Sequence, residues 1–166
     1  MLSGLFRGAA AGALLLLLAA CGNNAQDVGS IAVDWTGNDI VIEAVEDPDV
    51  AGVICHVAYF NRSLIDRLQQ GNWLEDPSYS AIDCAASGPV TVGDISLRPG
   101  GEEIFQQQRS LIFKSLRITR VYDRANNSLV YLAHARELQL GSGKMSLSVV
   151  PLAGADVSWA NGAPPA

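Results

Sequence analysis

The apolar run ending in Leu18-Ala19-Ala20-Cys21 constrains this chain most, because it removes its own residues from the fold and sets the chemistry in which the rest must fold. One charge, Arg7, precedes the run, and Gly8 to Ala20 is 13 residues long. That length suits the apolar core of a signal peptide and falls short of the roughly 20 residues a membrane-spanning helix needs. The ending has the form of a bacterial lipobox: small Ala20 leaves the next bond open to a peptidase, and the Cys21 thiol is the nucleophile that takes up lipid. Residues 1–20 are therefore expected to leave as a signal peptide, Cys21 to carry lipid, and 21–27 to form a polar tether. Two or more acyl chains hold a protein stably where one does not. Gly22, and not Asp, follows the cysteine, which favours the outer membrane and the periplasmic face of the envelope.

Removing that segment leaves 146 residues with ten basic and seventeen acidic side chains, a net charge of −7. This is the length of one domain, long enough to bury a core. The negative balance argues against nucleic acid as a partner and against electrostatic adhesion to anionic lipid. Lipidation of Cys21 would leave Cys55 and Cys84 as a pair in an oxidising compartment, where a disulfide is the default. Closing a loop of that size contributes about 3–4 kcal/mol in the chain-entropy model.

Beyond the tether, the sequence has the period of strands. Ile31 to Trp35 and Ile40 to Val45 are β-branched runs joined by Thr36-Gly37-Asn38-Asp39, the composition of a hairpin. Glu46-Asp47-Pro48-Asp49 reads as a turn and Val53 to Tyr59 as a third strand. Leu64, Ile65 and Leu68 share one helical face between a capping Ser63 and a terminating Gly71, so one short helix is expected over 61–71. Ala81 to Cys84 returns to extended chain. Glu103 to Phe105, Leu111 to Phe113, Leu116 to Tyr122, Leu129 to Ala135 and Met145 to Val150 follow as strands, with a bulge where alternation breaks at Lys114-Ser115. Residues 153–166, mostly Ala, Gly and Pro around Trp159, are expected to form a disordered tail. The pattern predicts a mainly β domain over 28–152, a small antiparallel sandwich or open barrel with one short helix and one disulfide.

Candidate chemistry is sparse. Cys55-His56 with Cys84 and His134 supplies metal-ligand types, but adjacent strand residues point to opposite faces, so no metal site is expected. No Cys-x-x-Cys pair is present for redox work. Gly141-Ser142-Gly143-Lys144 lacks the Gly that a phosphate loop needs at Leu138 and carries Met145 in place of a hydroxyl, so it reads as a turn. Neither a Gly-x-Ser-x-Gly elbow nor a His-Glu-x-x-His pair occurs. Glu43, Glu46, Asp47 and Asp49 offer oxygen ligands for calcium, yet their spacing fits no calcium loop and a solvated turn is expected. Lys114, Arg117, Arg120, Arg124 and Arg136 hold half of the mature positive charge, with Arg117 and Arg120 on opposite strand faces. They are expected to meet cross-strand partners such as Asp123 and Glu137; a site for an anion or carboxylate-bearing ligand is the alternative. No catalytic residue and no cofactor is assigned.

Between Val28 and Pro151 the chain resembles the CreA family of exported bacterial proteins. The resemblance runs in order through Val28-Gly29-Ser30-Ile31, Ile42-Glu43-Ala44, Asp47-Pro48-Asp49-Val50, Val53-Ile54-Cys55, Ala81-Ile82-Asp83-Cys84 and Gly88-Pro89-Val90. It continues through Ser110 to Leu116, Val121-Tyr122-Asp123, Leu132-Ala133 and Val149-Val150-Pro151. It implies a periplasmic protein with cysteines at the positions of Cys55 and Cys84, and carries over no catalytic residue. Two features depart from the family pattern: the lipobox in place of a plain secretory signal, and the Ala- and Pro-rich tail. The expected function is a non-enzymatic binding or adaptor module of the envelope, anchored to the membrane through lipidated Cys21, with a protein or small-molecule ligand. The alternative is an envelope enzyme with His56 or His134 as acid or base and Arg117 or Arg120 holding an anion.

Overall fold

Alternation with period two does shape this chain. The computed structural model describes residues 25–35, 37–61, 80–108, 115–135 and 145–164, and every regular element among them is a strand. Strands β1 (Ala25–Ala32), β2 (Asp39–Glu46), β3 (Val50–Asn61) and β4 (Ser80–Val92) run as an antiparallel meander. A second meander follows: β5 (Glu102–Gln108), β6 (Ser115–Asp123), β7 (Ser128–Ala135) and β8 (Met145–Pro151). The short β9 (Val157–Trp159) returns to the first sheet and pairs with β4, in parallel, giving the order β1-β2-β3-β4-β9 beside β5-β6-β7-β8. The protein is thus mainly β, built from two sheets that do not close into a barrel.

Burial follows the alternation. Val53, Cys55, Val57 and Tyr59 of β3 are buried while Ala51, His56 and Phe60 face outward. The inner faces bring Val45, Val57, Cys84 and Val90 of the first sheet to Ile118, Leu129, Tyr131 and Val150 of the second in one apolar cluster. Cys55 and Cys84 stand directly opposite one another in the β3–β4 register and are joined as a disulfide.

The register of β3 and β4 slips between Ala51 and Val53, whose partners are Thr91 and Ala86. Gly52 sits at the slip with φ +87°, where a Cβ would lie 2.3 Å from the Pro89 carbonyl oxygen. Only glycine combines that backbone with that approach. Pro89 has no N–H to give a ladder, which suits it to an irregularity. β4 changes company there. Past the slip Val90 N–H donates to the Asp156 carbonyl at 2.9 Å and β9 takes up the edge. Before it, Cys84 N–H donates to Ser148 Oγ of β8 at 2.8 Å, so a side chain of the other sheet covers the open edge.

Two domain boundaries differ from the sequence reading, and the strand expected over Ile31 to Trp35 ends at Ala32. Residues 153–166 are expected as a disordered tail, yet Val157–Trp159 is a strand and Trp159 meets Tyr122 edge-on with ring centroids 5.4 Å apart. Val157, Trp159 and an unpaired strand edge suffice where average composition suggests nothing. The polar tether reaches less far than 27, because Ala25, Gln26 and Asp27 pair with Val45, Ala44 and Glu43. Backbone pairing is indifferent to side-chain polarity. The expected signal peptide, Cys21, positions 62–71 of the expected helix, the strand over Leu111 to Phe113, Lys114 and the Gly141–Lys144 turn lie outside the described residues, and Asn61 ends β3. Among those described, register irregularities fall at Asp27/Gly29, Ala51/Val53 and Glu103/Phe105.

Candidate functional site

Polar side chains converge most densely where the β2–β3 turn meets the second sheet. On β6, Leu116, Ile118, Arg120 and Tyr122 occupy alternate positions, so Arg120 points inward with apolar neighbours, and only 1% of it is exposed. A guanidinium there must find anions. Nη1 donates to Asp47 Oδ1; Nη2 donates to Glu102 Oε2 at 2.8 Å and to Asp49 Oδ2 at 3.2 Å. Asp47 is buried as well. Its Oδ1 also accepts the Asp49 N–H at 3.0 Å and its Oδ2 accepts the Tyr131 hydroxyl at 2.8 Å.

Local chain geometry builds the cluster. Pro48 fixes φ in the turn, and the Asp47-to-Asp49 hydrogen bond folds it so that both carboxylates face β6. Gly101, at φ +66°, lets the chain pass so close to β6 that a Cβ would lie 2.3 Å from the Arg120 carbonyl oxygen. Glu102 then pairs with Arg120 in register. Burial alone would lower the Arg120 pKa, but the hydrogen bonds and charges of Asp47 and Asp49 outweigh it and hold the group above its ordinary value. Burial, then the Asp47 charge, push the Tyr131 phenol upward, so its proton is held. Three carboxylates of the same chain occupy Arg120, which leaves it no free fork for an outside carboxylate or phosphate. Chemically the cluster is a lock between two sheets.

This arrangement corrects two expectations. The acidic cluster is not a solvated turn: Asp47 is buried against Arg120 and Asp49 also reaches it, while Glu46 is exposed. Arg120 does meet a cross-strand carboxylate, Glu102, as expected. Arg117 and Arg120 do lie on opposite faces, as the alternation required. Asp123, expected as a cross-strand partner of an arginine, instead accepts hydrogen bonds from Asn126 at 3.2 and 2.6 Å, which lower its pKa. Lys114, Arg136 and Glu137 lie outside the described residues.

The two histidines do not meet. His56 faces outward from β3 beside Asp83, whereas His134 sits on the outer face of the second sheet, bonded through Nε2 to Thr119 Oγ1 at 2.9 Å. Opposite His134 in register is Arg117, whose Nη1 donates to Glu103 Oε2 at 2.6 Å. Arg117 Nε is buried and has no hydrogen-bond partner among the described residues. Beside this polar corner runs an apolar ladder. Met145, Leu147 and Val149 of the edge strand β8 are exposed, Leu147 by 58%, opposite His134, Leu132 and Val130 of β7. A ladder of that kind, bordered by polar groups, is the usual make-up of a contact surface.

Sequence reasoning missed the lock, although a signal was present. Arg120 shares strand parity with Leu116, Ile118 and Tyr122, and an arginine in an apolar row demands a buried acid elsewhere. The apolar ladder was visible as Met145, Leu147 and Val149 alternating with Ser146 and Ser148, but which row faces the core is decided by packing.

Comparison with known proteins adds the family. The model of the CreA family, described as CreA protein, matches residues 28–155. Protein CreA of Escherichia coli (strain K12) is 38% identical over 137 residues, covering 78% of this chain and 85% of that protein. Protein CreA of Escherichia coli O157:H7 matches to the same extent. No solved structure matches.

Proposed function

This chain belongs to the CreA family, and from that premise we propose that it is a lipid-anchored protein of the bacterial cell envelope, acting as a non-enzymatic binding or adaptor module. Its membrane attachment would be Cys21, on the periplasmic face, with the outer membrane favoured by Gly22. The Cys55–Cys84 disulfide supports export, since such bonds persist in oxidising compartments. It also leaves Cys21 as the one cysteine of three without a pairing role, as lipidation requires.

The exposed ladder of Met145, Leu147 and Val149 is the observation that carries the binding role. Apolar side chains on a regular, uncharged edge strand are costly to leave in water and are the material of a protein contact. The interior charges contribute elsewhere, because Arg120 is committed to Asp47, Asp49 and Glu102. The partner is therefore expected to be an envelope protein that covers the β7–β8 face. Native and denatured mass spectra of protein gently extracted from its own membranes test this. The denatured spectrum is expected to show a chain starting at Cys21 with acyl mass and one disulfide. The native spectrum is expected to show an additional stoichiometric partner that Leu147→Lys removes. An unacylated chain would defeat the anchor, and a bare chain in both native spectra would defeat the binding role.

A further inference from the structure

We propose that β1 and the turn after it form a bilayer-contacting edge, so that the domain lies with its first sheet's edge on the membrane; this rests on the lipid anchor at Cys21. The length of chain before the described residues sets the geometry. Three residues, Gly22 to Asn24, separate Cys21 from Ala25, so the two Cα atoms are four steps and at most about 14 Å apart when the chain is extended. An acyl chain on Cys21 therefore holds the start of β1 near the headgroups. β1 itself has 8 residues, about 26 Å of strand. It is an edge strand, exposed along most of its length.

Its far end is apolar. Val28, Ile31 and Val33 are exposed, and Trp35 is 93% exposed. Trp35 does not dangle: Val33 N–H donates to the Asn38 carbonyl at 2.9 Å, and Asn38 donates to Asp34 through its backbone N–H at 3.2 Å and Nδ2 at 2.8 Å. These bonds close the turn that carries Trp35. A tryptophan, with an apolar body and one N–H, is the side chain that favours the membrane–water boundary. Ile31 pairs with Ile40 and Ile40 with Phe60 in the outward-facing rows of the first sheet. An apolar pocket of about 310 Å³ lined by Ile40, Ala58, Phe60 and Ala81 continues the surface.

Charge selects the kind of surface. No Lys or Arg occurs from Ala25 to Asn61, while Asp27, Asp34 and Asp39 lie on the hairpin. Attraction to anionic headgroups cannot seat this edge, so apolar insertion into a zwitterionic leaflet does. With the anchor at one end of β1 and Trp35 beyond the other, both reach the bilayer only when the strand lies nearly parallel to it. The ladder on β8 belongs to the other sheet and stays available to a partner.

The test uses full-length lipidated protein in phosphatidylcholine vesicles with brominated acyl chains. Trp35 is isolated as the difference between wild type and Trp35→Phe, an exposed substitution that leaves the core alone. The difference emission is expected to shift to the blue and to lose most of its intensity relative to unbrominated vesicles. An intact mass lacking acyl chains would overturn the anchor and this inference together. Acylated protein whose Trp35 emission stays at the water-exposed wavelength would overturn the inference alone. A blue shift without quenching would do so too, placing Trp35 against protein.

Discussion

Two clamps hold the domain, and they differ in what they join. The Cys55–Cys84 disulfide connects strands that already face each other in one ladder. The Arg120 cluster connects the β2–β3 turn of the first sheet to β5, β6 and β7 of the second. A covalent bond between paired strands acts on the unfolded chain, whose loop it closes, and adds little to the choice of fold. Ionic contacts between sheets act on the native state and specify how the sheets stack. The larger dependence should therefore lie with the noncovalent clamp.

Removing one side of it gives the largest effect. Arg120→Met leaves Asp47 buried without its cation, and breaking such a pair costs about 3–5 kcal/mol. Urea unfolding should show that loss. Adding Asp47→Asn removes the orphaned charge while keeping an acceptor for the Tyr131 hydroxyl, so the double variant should recover at least half of it. A single variant as stable as wild type would show that the sheets stack without the lock. Cutting the covalent clamp, by Cys55→Ala with Cys84→Ala, opens a loop of 29 residues' separation and should cost about 3–4 kcal/mol. The comparison is sharpened by near-ultraviolet circular dichroism. The signal of the Tyr122–Trp159 pair should survive loss of the disulfide and weaken in Arg120→Met, because only the second loosens the stacking of the sheets.

The two clamps were unequally legible in the sequence. The disulfide follows from counting: three cysteines, of which the lipobox reading takes one. The strands and hairpins followed from period-two alternation, and Glu46 to Asp49 was recognised as a turn. What the turn was for was not, because Asp47, Pro48 and Asp49 are equally at home in water, and only a fold brings β6 to them from more than seventy residues away. Val157 to Trp159 was hidden by averaging over a tail rich in Ala, Gly and Pro, whereas three residues beside an open edge of β4 are enough for a strand. Local pattern shows which residues alternate. It does not show which face turns inward or which distant carboxylate an inward arginine will meet.

The smallest of the three effects separates the lock's charges from its neutral member. Tyr131 donates to Asp47 Oδ2 from a fully buried position, and burial followed by the Asp47 charge raises its pKa above the ordinary value. Tyr131→Phe should cost about 1–3 kcal/mol near neutrality, the usual penalty for leaving a buried acceptor short of a donor. Its pH dependence has a defined sign. A phenol whose folded pKa is raised contributes stability that is fully present below the unfolded pKa of about 10 and is lost as pH rises past it. Wild type should therefore weaken between pH 9 and 11, by about 1.4 kcal/mol for each unit above 10, while Tyr131→Phe lacks this contribution. Urea midpoints for the two proteins should converge as the solution becomes alkaline. Curves that stay parallel would mean that Tyr131 ionises in the folded domain as it does in water, and that the lock is carried by Arg120 and its carboxylates alone.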